Sequence, residues 1–191
     1  MDLTTITPGV SQLKALSHPV RVRMLGLLRV DGPATATTLA TRLGLNTGAT
    51  SYHLRQLAQH GFIVDDEARG NGRERWWKAA HQATTTGGRD APLDSEGEET
   101  LDAYLQSVVV VMTEMVQRAI EERPTLPDEW RQAAEFSDWI VKLTPTRARA
   151  VLDALEKEIH AVDDMEDSSA EDFVIQLHAF PLPGRIGGAD A

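Results

Sequence analysis

Residues 35–61, TATTLATRLGLNTGATSYHLRQLAQHG, decide the fold of this chain. They have the spacing of two short helices joined by a tight turn. Leu39, Ala40 and Leu43 share one face of the first helix, and Leu54, Leu57 and Ala58 share one face of the second. In the intervening LGLNT, Gly44 can take the left-handed backbone that ends a helix. Leu45 can turn into the core, and Asn46 or Thr47 can cap the next helix. Ala40 is small enough to let the helices cross closely. The pattern predicts a helix-turn-helix, whose second helix normally enters the major groove of DNA.

The outward face of that second helix carries Thr47, Ala49, Thr50, Ser51, Tyr52, His53, Arg55 and Gln56, and no acid. Short hydroxyls, flat rings and forked donors of this kind reach phosphates and base edges, with Arg suited to guanine and Gln to adenine. Thr35, at the front of the first helix, joins the expected contacts. The plainer reading is a helical hairpin that only packs against its neighbours.

Outward from this motif, residues 10–17 (VSQLKALS) predict a short amphipathic helix. Residues 19–30 (PVRVRMLGLLRV) predict a second, begun by a proline at its first turn and stopped by Asp31-Gly32-Pro33. Downstream, Gly61 ends the helix and residues 62–64 begin a strand. Residues 68–72 form a glycine-rich tip, and residues 73–78 (RERWWK) return. A β-hairpin there is the wing of a winged helix. Arg69, Asn71, Arg73 and Arg75 are its expected DNA contacts, on phosphates or in the adjacent minor groove. Period-two alternation sends Trp76 and Trp77 to opposite sides, one under the wing.

The runs LSHPVRVRML (residues 16–25), SYHLRQL (51–57) and GFIV (61–64) resemble the ArsR-type winged helix-turn-helix transcriptional regulators of bacteria and archaea. The resemblance covers roughly residues 10–80. It implies a homodimer that binds double-stranded operator DNA, commonly as a repressor, and often releases it on a signal. By the same resemblance residues 47–60 are the reading helix and residues 69–75 the wing. The RERWW run is similar to a branch of these regulators with an added C-terminal segment. Many relatives sense metals through Cys, and this chain has none. Its six His (His18, His53, His60, His81, His160 and His178) show no paired ligand spacing, so no metal and no cofactor is expected.

Residues 83–99 lack periodicity and read as a linker between a DNA-binding domain (1–82) and a C-terminal dimerisation or effector module (100–184), followed by a tail (185–191). Residues 100–122 predict a long helix. Leu101, Leu105, Val108, Met112 and Met115 would form a seam with the same helix of a second subunit; the alternative is packing on the winged helix. Residues 136–143 (FSDWIVKL) and 173–180 (FVIQLHAF) predict strands around a helix at 147–162, so the whole is mainly α with small β, including a small α+β module.

Composition sets the remaining bounds. The chain has 191 residues, 41% hydrophobic and 25% charged, with a net charge of −10. The charge is unevenly spread: residues 1–82 hold ten Lys or Arg against six Asp or Glu, and residues 83–191 hold nine against twenty-three. An acidic half held beyond about 8–10 Å from DNA is largely screened at physiological salt, yet it weakens nonspecific attraction. No apolar run approaches the roughly 20 residues of a membrane span, and no signal-peptide pattern opens the chain, so a cytoplasmic protein is expected. No nucleophile elbow, phosphate-cradling loop or zinc-protease helix is present, so no enzyme is expected. The expected function is a sequence-specific DNA-binding regulator, with a small-molecule effector possible in principle. The alternatives are a winged-helix adaptor that binds protein and a sequence-blind architectural DNA-binding protein.

Overall fold

The computed structural model describes residues 4–69, 74–87, 92–162 and 169–186. Local capping chemistry sets most of the element boundaries. Gln12 folds back onto the Gly9 amide at 2.9 Å to start α1 (Val10–Leu16). Pro19 needs no amide hydrogen at a helix's first position, and it opens α2 (Pro19–Val30) behind His18, whose Nδ1 accepts from the Val20 amide at 3.2 Å. Thr35 Oγ1 caps α3 (Ala36–Leu43), and Asn46 Oδ1 caps α4 (Thr47–Gln59) by accepting from the Ala49 amide at 2.8 Å. Between these two helices Gly44 has φ 64°, the left-handed conformation, and the Leu45 amide reaches back to the Ala40 carbonyl at 2.9 Å.

The strands are short. β1 (Thr5–Ile6) lies near the N-terminus; β2 (Ala34–Thr35), β3 (Ile63–Asp65) and β4 (Trp76–Ala79) form an antiparallel sheet in the order β2-β4-β3. Asp65 stands opposite Trp77, and Thr35 opposite Trp76. The return strand therefore starts at Trp76 rather than at the expected residue 73. β5 (Ala83–Thr84) runs parallel to β1, so the first residues of the expected linker are held by backbone pairing.

α5 (Ser95–Glu122) begins five residues before the expected start. Asp94 caps it by accepting from the Gly97 amide at 2.8 Å, and Glu96 and Glu98 complement the positive end of the helix. It packs on α1 and α2. One core results, built from Leu13 and Leu16 of α1, Met24, Leu25 and Leu28 of α2, and Leu39 of α3. Leu54 and Leu57 of α4, Phe62, Ile63, Trp77 and Tyr104 complete it. No helix among the described residues is long and apolar enough to cross a membrane.

By contacts the chain divides into Leu3–Arg131 and a unit holding Gln132–Ala191, so the long helix goes with the helix-turn-helix rather than with the C-terminal segment. A 3₁₀ turn (Arg123–Thr125) and α6 (Asp128–Ala133) follow α5. In the second unit α7 (Pro145–His160) starts two residues before the expected helix, with Thr144 as its cap. The strands expected at 136–143 and 173–180 are not formed among the described residues. Their alternation is real, but Trp139 and Ile140 are 79% and 80% exposed. A strand needs a ladder partner as well as a pattern.

Leu54 is fully buried at the centre of α4's inner face. Leu54→Ala should lower stability by about 2–5 kcal/mol in urea unfolding. A loss below about 1 kcal/mol would show that α4 is not seated on this core.

Candidate nucleic-acid interface

Burial of Thr50, Leu54 and Leu57 fixes the rotation of α4 about its axis, and the opposite side faces solvent. Thr47, Tyr52 and Arg55 are exposed there, with Tyr52 at 51%; Ala49, Ser51 and Gln56 are half-buried. Ser51 and Arg55 line a hollow together with Thr35, Ala36 and Thr37 of the β2–α3 corner and Glu74, Arg75 and Trp77 of the hairpin. The outer side of α4, the front of α3 and the hairpin thus border one concave surface.

Two of the expected contacts lie inside the protein. Thr35 is 4% exposed, and its hydroxyl is spent on the Thr38 amide at 3.2 Å. Thr50 is fully buried, with Oγ1 donating to the Asn46 carbonyl at 3.1 Å. Both serve the helix starts. Thr37 and Glu74, by contrast, were not expected; Thr37 Oγ1 donates to Glu74 Oε1 at 3.3 Å. No local sequence signal marks them, because Glu74, 37 residues along the chain from Thr37, meets the front of α3 only through the fold.

The hairpin cations are engaged by the chain's own acids. Arg75 pairs with Asp65 at 2.5 Å and lies over the Trp77 ring at 4.1 Å from its centroid. Arg69 sits 3.6 Å from Asp66 and over Trp76. Lys78 reaches the same buried Asp66 at 3.2 Å. Asn71 and Arg73 lie outside the described residues. Trp77 is the buried tryptophan of the pair and Trp76 the half-buried one. Compensated cations add less to phosphate attraction than free ones, so the exposed Arg55 of α4 is the cation better placed for it.

His53 is half-buried, its ring 4.6 Å from that of His18 and 5.5 Å from that of Tyr52. Its Nδ1 is buried without a partner among the described residues. Burial, then the charges of His18 and Arg21, hold the His53 pKa below its ordinary value; burial, then Arg21, does the same for His18. The pair thus joins the start of α2 to α4 in the neutral state.

The expected seam on α5 divides between two sides. Leu101 and Val108 pack against the domain's own core beside Tyr104, whereas Leu105 is 38% exposed and Met112 and Met115 are half-buried. The outer side runs Leu105, Val109, Met112, Val116 and Ile120, at spacings of four and three. Intramolecular packing therefore takes two of the five expected seam residues. Among the described residues no three His, Asp or Glu side chains converge as a metal site.

Residues 16–65 match the family model described as a helix-turn-helix domain. A stretch of 68 residues is 37% identical to the HTH-type transcriptional regulator NmtR of Mycobacterium tuberculosis. That stretch is 36% of this chain and 56% of the relative, so the chain spans little more than half the relative's length. Among solved structures, a double mutant of Lactococcus lactis ZitR in its apo form is 16% identical. It aligns over 73% of this chain and 81% of its own at a TM-score of 0.32, too low to carry a fold assignment.

Both histidines have folded-state values below the ordinary 6.5, so the unfolded chain takes up protons first as pH falls. Their contribution to stability is complete above about pH 6.5 and is lost as pH drops below it. Urea midpoints measured from pH 8 to pH 5 should fall across this window in the native chain and less in His53→Gln. Equal slopes would exclude the pair as the source.

Proposed function

We propose that this chain, whose residues 16–65 match a helix-turn-helix domain, is an ArsR-type, sequence-specific DNA-binding regulator of transcription that acts as a homodimer and represses. The observation that carries this reading is the outer side of α4, where Thr47, Ser51, Tyr52, Arg55 and Gln56 stand without an acid among them on a helix locked by its buried side. Such a side fits the major groove, with Arg55 and Gln56 able to hydrogen-bond guanine and adenine edges. Affinity would come from phosphate contacts around α4 more than from Arg69 and Arg75, because the latter two are paired with Asp66 and Asp65.

The apolar outer side of α5, Leu105 to Ile120, supports self-association through a second copy of the same helix. Two copies so joined would set two α4 helices on one side of a duplex, about 34–36 Å apart, for a near-palindromic site. Repression follows from occupancy of a promoter by such a dimer. Relief by a small molecule would need a second site on the same domain.

Mobility shifts over a range of salt concentrations test the reading. A selected duplex should be bound with a negative slope of log affinity against log salt; an adaptor that binds only protein would show no such affinity. Arg55→Ala should weaken binding to that duplex by about 1–3 kcal/mol and relax one base position. An unaltered base preference would make Arg55 a phosphate anchor. Arg75→Ala should lower the slope by clearly less than about one, the change expected for a free phosphate contact; a full unit would mean that Asp65 releases it on DNA. Val109→Asp, on the exposed side of α5, should shift the protein to monomer in sedimentation, and a dimer of unchanged strength would move the interface elsewhere.

A further inference from the structure

Among the described residues from 132 onward none is buried. In residues 136–143 (FSDWIVKL) this leaves Phe136, Trp139, Ile140, Val141 and Leu143 all exposed. Apolar side chains gathered in one run, rather than scattered singly, mark a contact site. An extended run with a strand's alternation is moreover a template for pairing with another chain.

The run carries two charges, Asp138 and Lys142, placed evenly on either side of Ile140. A second copy laid parallel and in register would set like charge against like. Laid antiparallel with Ile140 opposite itself, the second copy sets the partner's Lys142 against Asp138 and the partner's Asp138 against Lys142. The same register places Trp139 opposite the partner's Val141, an aromatic against a β-branched side chain, and does so twice. Any other antiparallel register takes both ion pairs out of opposition. The later run 173–180 (FVIQLHAF) has no Asp, Glu, Lys or Arg, and so no such match. Residues 132–191 hold twelve Asp or Glu against five Lys or Arg, which disfavours a nucleic acid or an anionic membrane as the occupant.

We propose that residues 136–143 pair antiparallel with the same residues of a second copy, about a two-fold axis at Ile140. The contact is isologous, so each chain gives and receives the same two ion pairs. A two-stranded ribbon alone is marginal in water. It forms between copies already joined, which raises the concentration of one run around the other. In this the inference rests on the homodimer proposed above, and it owes nothing to DNA binding.

The chain has no Cys, so a single introduced thiol reports its own neighbourhood. Residues opposite each other in an antiparallel pair have Cα atoms about 4.5–5.5 Å apart, within disulfide reach. In the full chain, in a glutathione redox buffer, Ile140→Cys should form an intermolecular disulfide about tenfold or more faster than Leu143→Cys. The two copies of position 143 would lie six residues, roughly 20 Å, apart along the ribbon. Added to the Ile140→Cys chain, Asp138→Lys or Lys142→Asp alone should slow the crosslink several-fold, and the two together should restore it. Mixed with each other, the two single charge variants should crosslink in preference to themselves. Sedimentation of the unaltered chain separates the two levels. A monomer would overturn the homodimer and this pairing together. A dimer in which Ile140→Cys and Leu143→Cys crosslink equally, or in which exchanging the charges changes nothing, would overturn the pairing alone.

Discussion

Leu54 and Leu57 are both fully buried beneath α4, against a floor made by α1, α2 and the start of the hairpin. That apolar contact determines which residues of α4 face solvent, because the helix cannot rotate without exposing both leucines. Each fully buried leucine contributes roughly 1.5–3 kcal/mol relative to exposure, far more than any single polar contact on the outer side. Asn46, Thr50 and Gly44 then set where the helix starts and how it leaves α3. The polar outer side is thus a consequence of packing underneath, and its chemistry is free to serve recognition.

Electrostatics narrow the account further. The asymmetry of charge along the chain suggests a basic front for DNA, yet the front's hairpin cations are already matched by Asp65 and Asp66, and Glu74 stands beside Thr37 at the edge of the hollow. A compensated wing provides shape and position with little net charge. On that view selectivity and much of the phosphate contact belong to α4, and the acidic C-terminal half opposes indiscriminate binding.

Local chemistry made much of the first domain legible before any coordinates. α2 spans Pro19–Val30 because a proline and a histidine cap begin it and Asp31-Gly32-Pro33 stops it, all readable in the chain. The helix pair at Ala36–Leu43 and Thr47–Gln59 is equally legible, since glycine and asparagine punctuate a clean apolar spacing. What escaped depends on distant partners. β2 and the β1–β5 pair are two residues long and exist only through strands far away in sequence. The start of α5 was hidden because Gly97 and its acidic neighbours look like linker, although Asp94 caps them. Thr35 and Thr50 also hold helix starts, which sequence does not separate from groove contacts, because a hydroxyl looks the same whether it faces DNA or its own helix. Residues 136–143 and 173–180 carry a strand's alternation yet form no strand among the described residues, and two residues of the expected α5 seam were taken up by the domain's own core.

Selection of bound sites from a random duplex library at physiological salt tests the central claim most directly. The account predicts enrichment of one near-palindromic site whose half-sites lie about one helical turn, or a multiple of it, apart. A library that emerges unenriched, or binding equal for selected and random duplexes, would contradict it.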